Sequence, residues 1–495
     1  MKTSIYLVLG SLLLNSLLVG CASAGRAGIE RSSVKNTAQP AKTEQPALPA
    51  TLDLDAAPSA SGVVLTAYDW SQKGYTLLPV DPATGEAVPG HTPVRISQGE
   101  LYMPHLAYSP DGSKLAAIES RGESCEAFAG GTSCYPRAIA LRLVDLPSWQ
   151  VISTALPADG WVGAISFSPG ADRLAISYNR QKGNSVLVID TSSGEVLSEL
   201  ALGFRPEGIA FYRDNSQLLA YGTLPAEVPG FTPPGPLRLE AYSIPSGERL
   251  WGRELADVTR GSWCIEGCKN VHGQQLYAAW YPAIVLSPDG SLLYILHADQ
   301  DKLTRVSLAG GSSESVEIRE AQSWIERLLA STADVALAKG GAKGTTRLGV
   351  ISPDGKRLYA QSITTDAVLN QDGFWESADA VTELQVIDTQ SGQILARKPA
   401  SGYGLSLTPD GKYLLSGAWT ETGVDTEIWS ADDLEKVVHV DGWELVFSRN
   451  LDGNIVLLGS RRTDSITEIA LFDLENFQVK GGWKYSGLVY WIPAH

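Results

Sequence analysis

The sequence predicts an all-β fold, specifically a β-propeller of four-stranded antiparallel blades. Three observations predict it: two hairpin motifs that alternate along the chain, a composition with 49 glycines and few long helix-forming runs, and incomplete blade motifs at both ends of the repeat region. Repeated short hairpins are typical of propellers, in which one blade is one repeat. The repeats indicate eight blades, with seven as the alternative.

The first motif is an apolar strand, a turn and a second apolar strand, as in LAYSPDGSKLAAI. Proline presets the backbone for a turn and Asp-Gly supplies a tight reversal, so each copy predicts a β-hairpin. The copies begin at Leu106, Ile165, Ile209, Ile284, Gly349, Leu405 and Leu445.

The second motif follows the first and is another strand, polar turn and strand, as in SVLVIDTSSGEVLSEL. Two hairpins per repeat make a four-stranded antiparallel blade, and the repeats lack the amphipathic period of a helical solenoid. The copies of this motif begin at Ala140, Ser185, Leu237, Glu383, Thr426 and Thr467.

The two ends of the repeat region complement each other. Residues 63–90 read as a blade that lacks its first strand, and the apolar run from Leu488 to Ile492 reads as an unpaired strand. Pairing these segments would close the ring and protect both sheet edges, so we expect the N- and C-terminal strands to share a blade.

The S-P-D-G hairpins and the V-x-D-x-x-S-G-E hairpins resemble those of YVTN-type, or quinoprotein amine dehydrogenase β-chain-like, propellers. They are also similar to the TolB-type periplasmic propellers and to WD40-like repeats. The resemblance spans residues 62–495 and implies the fold. It does not imply one activity, because such propellers include dehydrogenase subunits, lactonases, scaffolds and binding proteins. No quinone-site or haem-ligand motif matches positions in this chain.

The first residues predict an export signal. Lys2 precedes a short apolar run that ends at Leu18-Val19-Gly20-Cys21, and residues 1–20 fit a signal peptide better than a membrane span. The motif resembles the lipobox of bacterial lipoproteins, which implies that Cys21 is lipidated; the alternative is an ordinary secretory signal. Residues 21–60 are rich in Ala, Ser and Pro and predict a disordered tether, and residues 61–495 form the propeller. We therefore expect an extracytoplasmic, membrane-anchored protein of the cell envelope.

The other four cysteines form two close pairs, Cys125 with Cys134 and Cys264 with Cys268. An oxidising envelope favours two local disulfides. A shared zinc site of four cysteines is the alternative, although the spacings differ from common zinc modules. Three residues separate Cys264 from Cys268 and Lys269 follows, so the pattern excludes attachment of a c-type haem.

No catalytic, metal or cofactor motif is found. The six histidines have no metal-ligand spacing among themselves, no G-x-S-x-G motif occurs, and residues 340–346 do not match the phosphate-binding loop pattern. The net charge of −16 disfavours nucleic acid as a partner. We therefore predict no metal, no cofactor and no catalytic residue.

A ligand of a propeller commonly sits at one mouth of the central channel, beside the start of each blade's first strand. Alignment on the turn residues places aromatic and charged side chains there, which predicts a binding rim. The alternative is that the aromatic residues pack between blades. The predicted rim consists of Tyr102, His105, Trp161, Arg205, Glu207, Trp280, Arg347, Tyr403, Trp443 and Glu444.

Long insertions interrupt the repeats, and such loops usually cap one face or carry function. They are residues 224–236, 256–280, 319–342, which include a predicted short amphipathic helix, and 364–381. Together these features favour a non-enzymatic binding or scaffold lipoprotein that holds a protein, peptide or glycan at the channel mouth. The alternative is an enzyme or enzyme subunit, dehydrogenase-associated or lactonase-like, built on His105, Glu207, Arg347 and Glu444.

Overall fold

A computed structural model describes the chain over sixteen ranges, and every regular element within them is a β-strand. The ranges are 62–69, 73–98, 105–128, 131–157, 159–180, 183–212, 215–224, 233–244, 246–269, 275–320, 341–369, 375–377, 381–420, 423–463, 466–486 and 488–490. The predicted signal peptide, the tether and Cys21 lie outside these ranges. In the described part of the chain there is no helix that could span a membrane.

The strands follow one another closely along the chain. The first nineteen are β1 (Val63–Asp69), β2 (Gly74–Val80), β3 (Val94–Arg95), β4 (Ser97–Gln98), β5 (Leu106–Tyr108), β6 (Lys114–Phe128), β7 (Gly131–Asp145), β8 (Gln150–Ala155), β9 (Gly160–Phe167), β10 (Arg173–Arg180), β11 (Gly183–Asp190), β12 (Val196–Leu202), β13 (Gly208–Phe211), β14 (Gln217–Thr223), β15 (Leu237–Ser243), β16 (Arg249–Leu255), β17 (Gly261–Lys269), β18 (Gln275–Tyr281) and β19 (Ala283–Leu286). The others are β20 (Leu292–Leu296), β21 (Lys302–Ser307), β22 (Ser313–Glu317), β23 (Arg319–Glu320), β24 (Gly341–Ile351), β25 (Arg357–Leu369), β26 (Trp375–Ser377), β27 (Val381–Asp388), β28 (Gln393–Ala400), β29 (Tyr403–Leu407), β30 (Tyr413–Thr420), β31 (Gly423–Ser430), β32 (Lys436–Val440), β33 (Glu444–Arg449), β34 (Ile455–Thr463), β35 (Ile466–Phe472), β36 (Val479–Tyr485) and β37 (Leu488–Tyr490).

In several copies of the first motif, the hairpin turn is held by hydrogen bonds between a hydroxyl and an aspartate of the turn. In the first copy, the Ser109 hydroxyl donates to the Asp111 carboxylate at 2.6 Å, and the backbone N–H of Ser113 donates to the same oxygen at 3.0 Å. The next position needs a left-handed backbone, and Gly112 adopts it with φ of 70°. Ala171 adopts the same left-handed conformation in the next copy, with φ of 56°, at a cost that glycine avoids.

The hairpins assemble into antiparallel sheets that surround a common axis. The sheet orders are β3–β2–β1–β37, β5–β6–β7–β8 with β4 beside β6, β9–β10–β11–β12, β13–β14–β15–β16, β19–β20–β21–β22, β29–β30–β31–β32, β33–β34–β35–β36, and β17–β18–β24–β25–β27–β28–β23 with β26 beside β25. The first strands of neighbouring sheets contact one another, as β9 does with β13 and β24 with β29. The fold is therefore an all-β propeller.

The prediction of eight four-stranded blades is wrong. Six sheets have four strands each, and a further sheet has four antiparallel strands with β4 added beside β6. These seven sheets are the regular four-stranded blades, and seven is the number stated above as the alternative. The remaining strands form an eight-stranded sheet in which β18 pairs with β24, and β28 with β23, in parallel. Counting hairpin motifs missed this because the inserted β17–β18 hairpin joins a sheet far along the chain. We call this the composite sheet.

The ring is closed by the two ends of the repeat region. Strand β37 pairs antiparallel with β1, where Ala67 lies opposite Val489 and Tyr68 opposite Leu488. A bridge between Val63 and Asn450 also links the first strand to the preceding sheet. The predicted pairing of the two ends is thus observed.

Apolar side chains fill the spaces between neighbouring sheets. One cluster joins the closing sheet to the next one and includes Tyr68, Leu115 and Leu488, which are buried. Another joins the closing sheet to the preceding one through Leu65, Leu458 and Ile469. Burial of these side chains between sheets is the main favourable contribution to the free energy of folding, because both faces of each sheet are removed from water.

The propeller has two different faces. The turns between first and second strands meet on one face, where the Asn215 amide donates to Asp172 at 3.0 Å and Lys114 Nζ donates to the Ala171 carbonyl at 3.2 Å. We call this the hairpin-turn face. The opposite long-loop face carries the turns between second and third strands and the links from one sheet to the next.

Most insertions extend the long-loop face. Strands β6 and β7 have 15 residues each, about twice the length of most blade strands, and β25 extends to Leu369 where β26 pairs with it. The predicted helix is not seen where the chain is described, because Arg319 and Glu320 form β23 beside β28. Residues 321–340 lie outside the described ranges.

Candidate functional site

Most of the predicted rim residues that the structure describes lie at the start of a first strand or in the link before it, on the long-loop face. The links before first strands contain His105, Arg205, Glu207 and Trp443, and the strands β9, β24 and β33 contain Trp161, Arg347 and Glu444. Trp280 lies instead in the inserted strand β18, paired with Gly261 and Thr345. Tyr403 begins β29, but its side chain is not among those described, and Tyr102 lies outside the described ranges.

A stack of aromatic and guanidinium groups joins three neighbouring sheets. The rings of Tyr135 and Trp161 stack at a centroid distance of 4.5 Å and an angle of 10°. The Arg205 guanidinium lies 5.1 Å from the Tyr135 centroid and 5.4 Å from that of Trp161. Trp161 is only 3% exposed, whereas Tyr135 and Arg205 are half-buried. We call these residues the Arg205 stack.

The Arg205 stack rests on a hairpin that a disulfide closes. Cys125 and Cys134 lie opposite each other in β6 and β7, and a disulfide joins them. Tyr135 follows Cys134 directly, so the bridge limits how far the tyrosine can move from Trp161. A bridged pair is also not available as two zinc thiolates. The side chains of Cys264 and Cys268 are not among those described.

Next to Arg205, Glu207 is held by neighbours on both sides. Its carboxylate forms an ion pair with Arg260 and accepts the Thr223 hydroxyl at 2.7 Å. Arg260 also lies 5.9 Å from the centroid of the Tyr281 ring. Burial raises the pKa of both Tyr221 and Tyr281, so these phenols stay protonated beside the ion pair. Arg260 and Thr223 therefore hold the Glu207 carboxylate in place.

Arg347 is a buried cation in the first strand of the composite sheet's antiparallel core. Its side chain is 9% exposed, and Nη2 lies 3.3 Å from the exposed carboxylate of Asp301. Nε and Nη1 are buried and have no hydrogen-bond acceptor among the described residues. Burial lowers the pKa of Arg347, because a buried charge loses its hydration. The guanidinium is thus only partly satisfied within the part of the chain that the structure describes.

His105 and Glu444 lie in environments that favour their neutral forms. Burial lowers the pKa of His105 to about 4, and burial raises the pKa of Glu444. They belong to different sheets, as do Glu207 and Arg347. Among the described residues, no hydrogen bond or ion pair joins any two of these four side chains. Within the described ranges, the four residues on which the enzyme alternative was built therefore form no hydrogen-bonded acid–base pair with one another.

Trp443 packs within its own sheet. Its ring meets Phe472 edge-on at 5.5 Å, and the Arg461 guanidinium lies 4.7 Å from its centroid. The Trp443 carbonyl also accepts the Thr426 hydroxyl at 2.8 Å. Like Trp161, this tryptophan contributes mainly to packing. The surface that a ligand could contact is offered by the partly exposed side chains beside the two tryptophans, such as Arg205 and Arg461.

Sequence reasoning missed Tyr135 and Arg260. Both lie outside the aligned hairpin motifs, one at the end of an insertion and the other in the link before β17. The position of Tyr135 directly after Cys134 was a signal, because a paired cysteine fixes the residues beside it. Nothing in the local sequence marks Arg260 as the partner of Glu207.

Known proteins resemble this chain only distantly. No family model and no curated protein matches the chain. Among solved structures, the dihydro-heme d1 dehydrogenase NirN is 12% identical, with 90% of this chain and 77% of that chain covered and a TM-score of 0.49. Hydrazine synthase of Kuenenia stuttgartiensis is 16% identical, with coverages of 72% and 92% and a TM-score of 0.42. A eukaryotic initiation factor is 12% identical, with coverages of 88% and 99% and a TM-score of 0.46. At these values no residue role passes to this chain.

Proposed function

We propose that this chain is a binding or scaffold propeller of the cell envelope, which holds a protein, peptide or glycan ligand on its long-loop face. The observation that carries the proposal is the Arg205 stack. Arg205 and Tyr135 are half-buried on that face, above a tryptophan that is almost fully buried. Tyrosine and arginine in such settings are common anchors of binding interfaces.

The stack is also rigid, which favours binding. Three neighbouring sheets supply its members, and the disulfide between Cys125 and Cys134 holds the hairpin that carries Tyr135. A side chain that is already ordered loses little conformational entropy when a ligand binds. The planar guanidinium beside the two rings can stack on a sugar or aromatic group of a ligand, and its N–H groups can donate hydrogen bonds to a carboxylate.

We expect a ligand to contact the long-loop face and not the hairpin-turn face. A photoreactive residue at Asp159, which is 61% exposed beside Trp161, should crosslink to the ligand in intact cells. The same residue at Lys356, which is 78% exposed on the opposite face, serves as the matched control and should not. Arg205→Ala should reduce the yield at Asp159 by about tenfold or more, as loss of an interface anchor does.

Two results would contradict the proposal. One is equal crosslinking from the Asp159 and Lys356 positions, which would show contact without a preferred face. The other is a yield at Asp159 that Arg205→Ala leaves unchanged, provided that the variant keeps the urea midpoint of the parent protein.

We also propose that Cys21 carries a lipid that anchors the propeller to a membrane, with residues 22–60 as a tether. Several acyl chains give firm attachment where a single chain is marginal. Cys21→Ser should therefore move the protein from the membrane fraction to the soluble fraction. Cys264→Ser removes a cysteine from the body and should leave the fractionation unchanged. Membrane association that persists in Cys21→Ser would refute the anchor.

A further inference from the structure

A second cluster of side chains lies on the long-loop face, at the outer strands of the sheet β29–β32. His439 Nε2 lies 2.9 Å from Asp441 Oδ1 and 3.3 Å from Asp425 Oδ2. One donor atom from each of the three residues can be chosen so that all lie within 4.8 Å of one another. An imidazole nitrogen between two carboxylates is a ligand set that suits divalent transition metals.

Strand pairing brings these residues together. Glu427 lies opposite His439 and Thr426 opposite Val440, so Asp425 and Asp441 fall at the adjacent end of the same pair of strands. The backbone N–H of Gly442 donates to Asp425 Oδ1 at 2.6 Å. This hydrogen bond orients the buried carboxylate and leaves Oδ2 toward the imidazole. The Asp425 carboxylate is therefore held by a backbone N–H as well as by its own strand.

A third carboxylate lies behind the imidazole. Glu427 Oε1 is 3.9 Å from His439 Nδ1, and it accepts the Ser401 hydroxyl and Lys436 Nζ, both at 2.6 Å. The Glu427 side chain is 2% exposed. In metal sites a carboxylate or carbonyl commonly faces the nitrogen that does not bind the metal, which leaves the other nitrogen unprotonated for the ion. Glu427 faces this nitrogen at 3.9 Å, which is beyond hydrogen-bond distance, so it places a negative charge behind the imidazole without bonding to it.

The two separations from His439 Nε2 match those of a metal site, and the two carboxylates can each offer an oxygen within 4.8 Å of the other. Ligands at about 2.0–2.2 Å from an ion, with angles between octahedral and tetrahedral, lie about 2.8–3.6 Å from one another. The two distances from His439 Nε2, 2.9 and 3.3 Å, fall in that interval. A cation could thus enter without a large rearrangement of these side chains.

We propose that His439, Asp425 and Asp441 bind a divalent cation of the zinc type, with the remaining coordination position left to water or to a ligand. This site is separate from the Arg205 stack and goes beyond the proposed function. Asp441 belongs to the link that continues through Trp443 to Glu444, the first residue of β33. A bound cation would therefore fix this link to strands β31 and β32.

The test is the binding of Zn²⁺ to the purified full-length protein, measured by isothermal titration and by dialysis followed by elemental analysis. The wild type should bind an equivalent of Zn²⁺ that Asp441→Asn and His439→Gln weaken by about tenfold or more. Asp441 is 67% exposed, so its change to asparagine leaves the packing intact. Asp433→Asn removes a carboxylate from the same sheet on the hairpin-turn face and should not alter binding.

Two outcomes would overturn the proposal. The first is a wild type that takes up no Zn²⁺, Ni²⁺ or Mn²⁺ at millimolar concentration, because the cluster would then be an ion-pair network around a protonated imidazole. The second is uptake that neither Asp441→Asn nor His439→Gln reduces, because the cation would then bind elsewhere, for example at Cys264 and Cys268.

Discussion

Replacing Leu488 by alanine is expected to lower the free energy of unfolding by about 2 to 5 kcal/mol. Leu488 is 7% exposed and packs with Tyr68 and Leu115 between the closing sheet and the next one. Within the described residues, β37 contributes three residue pairs to β1, so this side chain provides a large part of the described contact that closes the ring. Urea unfolding followed by tryptophan fluorescence measures the change.

The matched control is Leu197→Ala, on the outer strand β12. Leu197 is 48% exposed, so its truncation should change the free energy of unfolding by less than about 0.5 kcal/mol. If Leu488→Ala costs no more than this control, the closing pair contributes little, and the ring would have to be held by the contacts between the other sheets.

The second large effect is a loss of stability in mild acid that depends on His105. Burial lowers the pKa of this histidine to about 4, against about 6.5 in an unfolded chain. A group whose pKa is lower in the folded state contributes stability above its unfolded pKa, and this contribution is lost as the pH falls toward the folded value. We therefore expect His105 alone to remove about 2 kcal/mol of stability between pH 7 and pH 5.

The measurement is the free energy of unfolding in urea at pH 7 and pH 5 for the wild type and for His105→Gln. Glutamine does not titrate, so the variant should lose about 2 kcal/mol less than the wild type over this interval. His91→Gln is the control, because His91 lies in the link between β2 and β3 and its ring forms a solvent-exposed hydrogen bond with the Pro89 carbonyl. Equal pH dependence in the wild type and His105→Gln would mean that His105 is hydrated in the folded protein.

The hairpins could be predicted because their information is local. In the second motif, for example, Asp190 accepts the backbone N–H groups of Ser192 at 2.9 Å and of Ser193 at 2.8 Å, so one short stretch encodes the turn. Closure of the ring also followed from a local observation, since each end of the repeat region lacked what the other supplied. Both features depend on residues whose type and spacing along the chain indicate the local conformation.

The composite sheet could not be predicted in the same way. Its extra strand β17 pairs antiparallel with β18, and β18 pairs in parallel with β24, more than sixty residues later, through Trp280 with Thr345 and Tyr281 with Thr346. Two residue pairs leave no recognisable turn or alternation in the sequence. The number of blades therefore depended on a long-range contact between strands, and counting hairpins along the sequence could not reveal that contact.

The candidate sites show the same limit. Alignment of the repeats placed Trp161 and Arg205 near one mouth, but their stacking on Tyr135 depends on a hairpin of the neighbouring sheet. The histidines were compared only with one another along the chain, so His439 was not matched with Asp425. A signal did exist, because Asp-Thr-Glu from Asp425 and His-Val-Asp from His439 alternate with period two on facing strands.

Closure by the last described strand makes the order of synthesis matter. The inner edge of β1 is made early, yet its partner β37 follows on the order of 400 residues later. At about 5–20 residues per second, that edge stays unpaired for roughly 20 to 80 s. During this time it is a template on which another chain can add a strand. A chain that lacks β37 would keep this edge of β1 unpaired, and the pairing of β37 with β1 covers it.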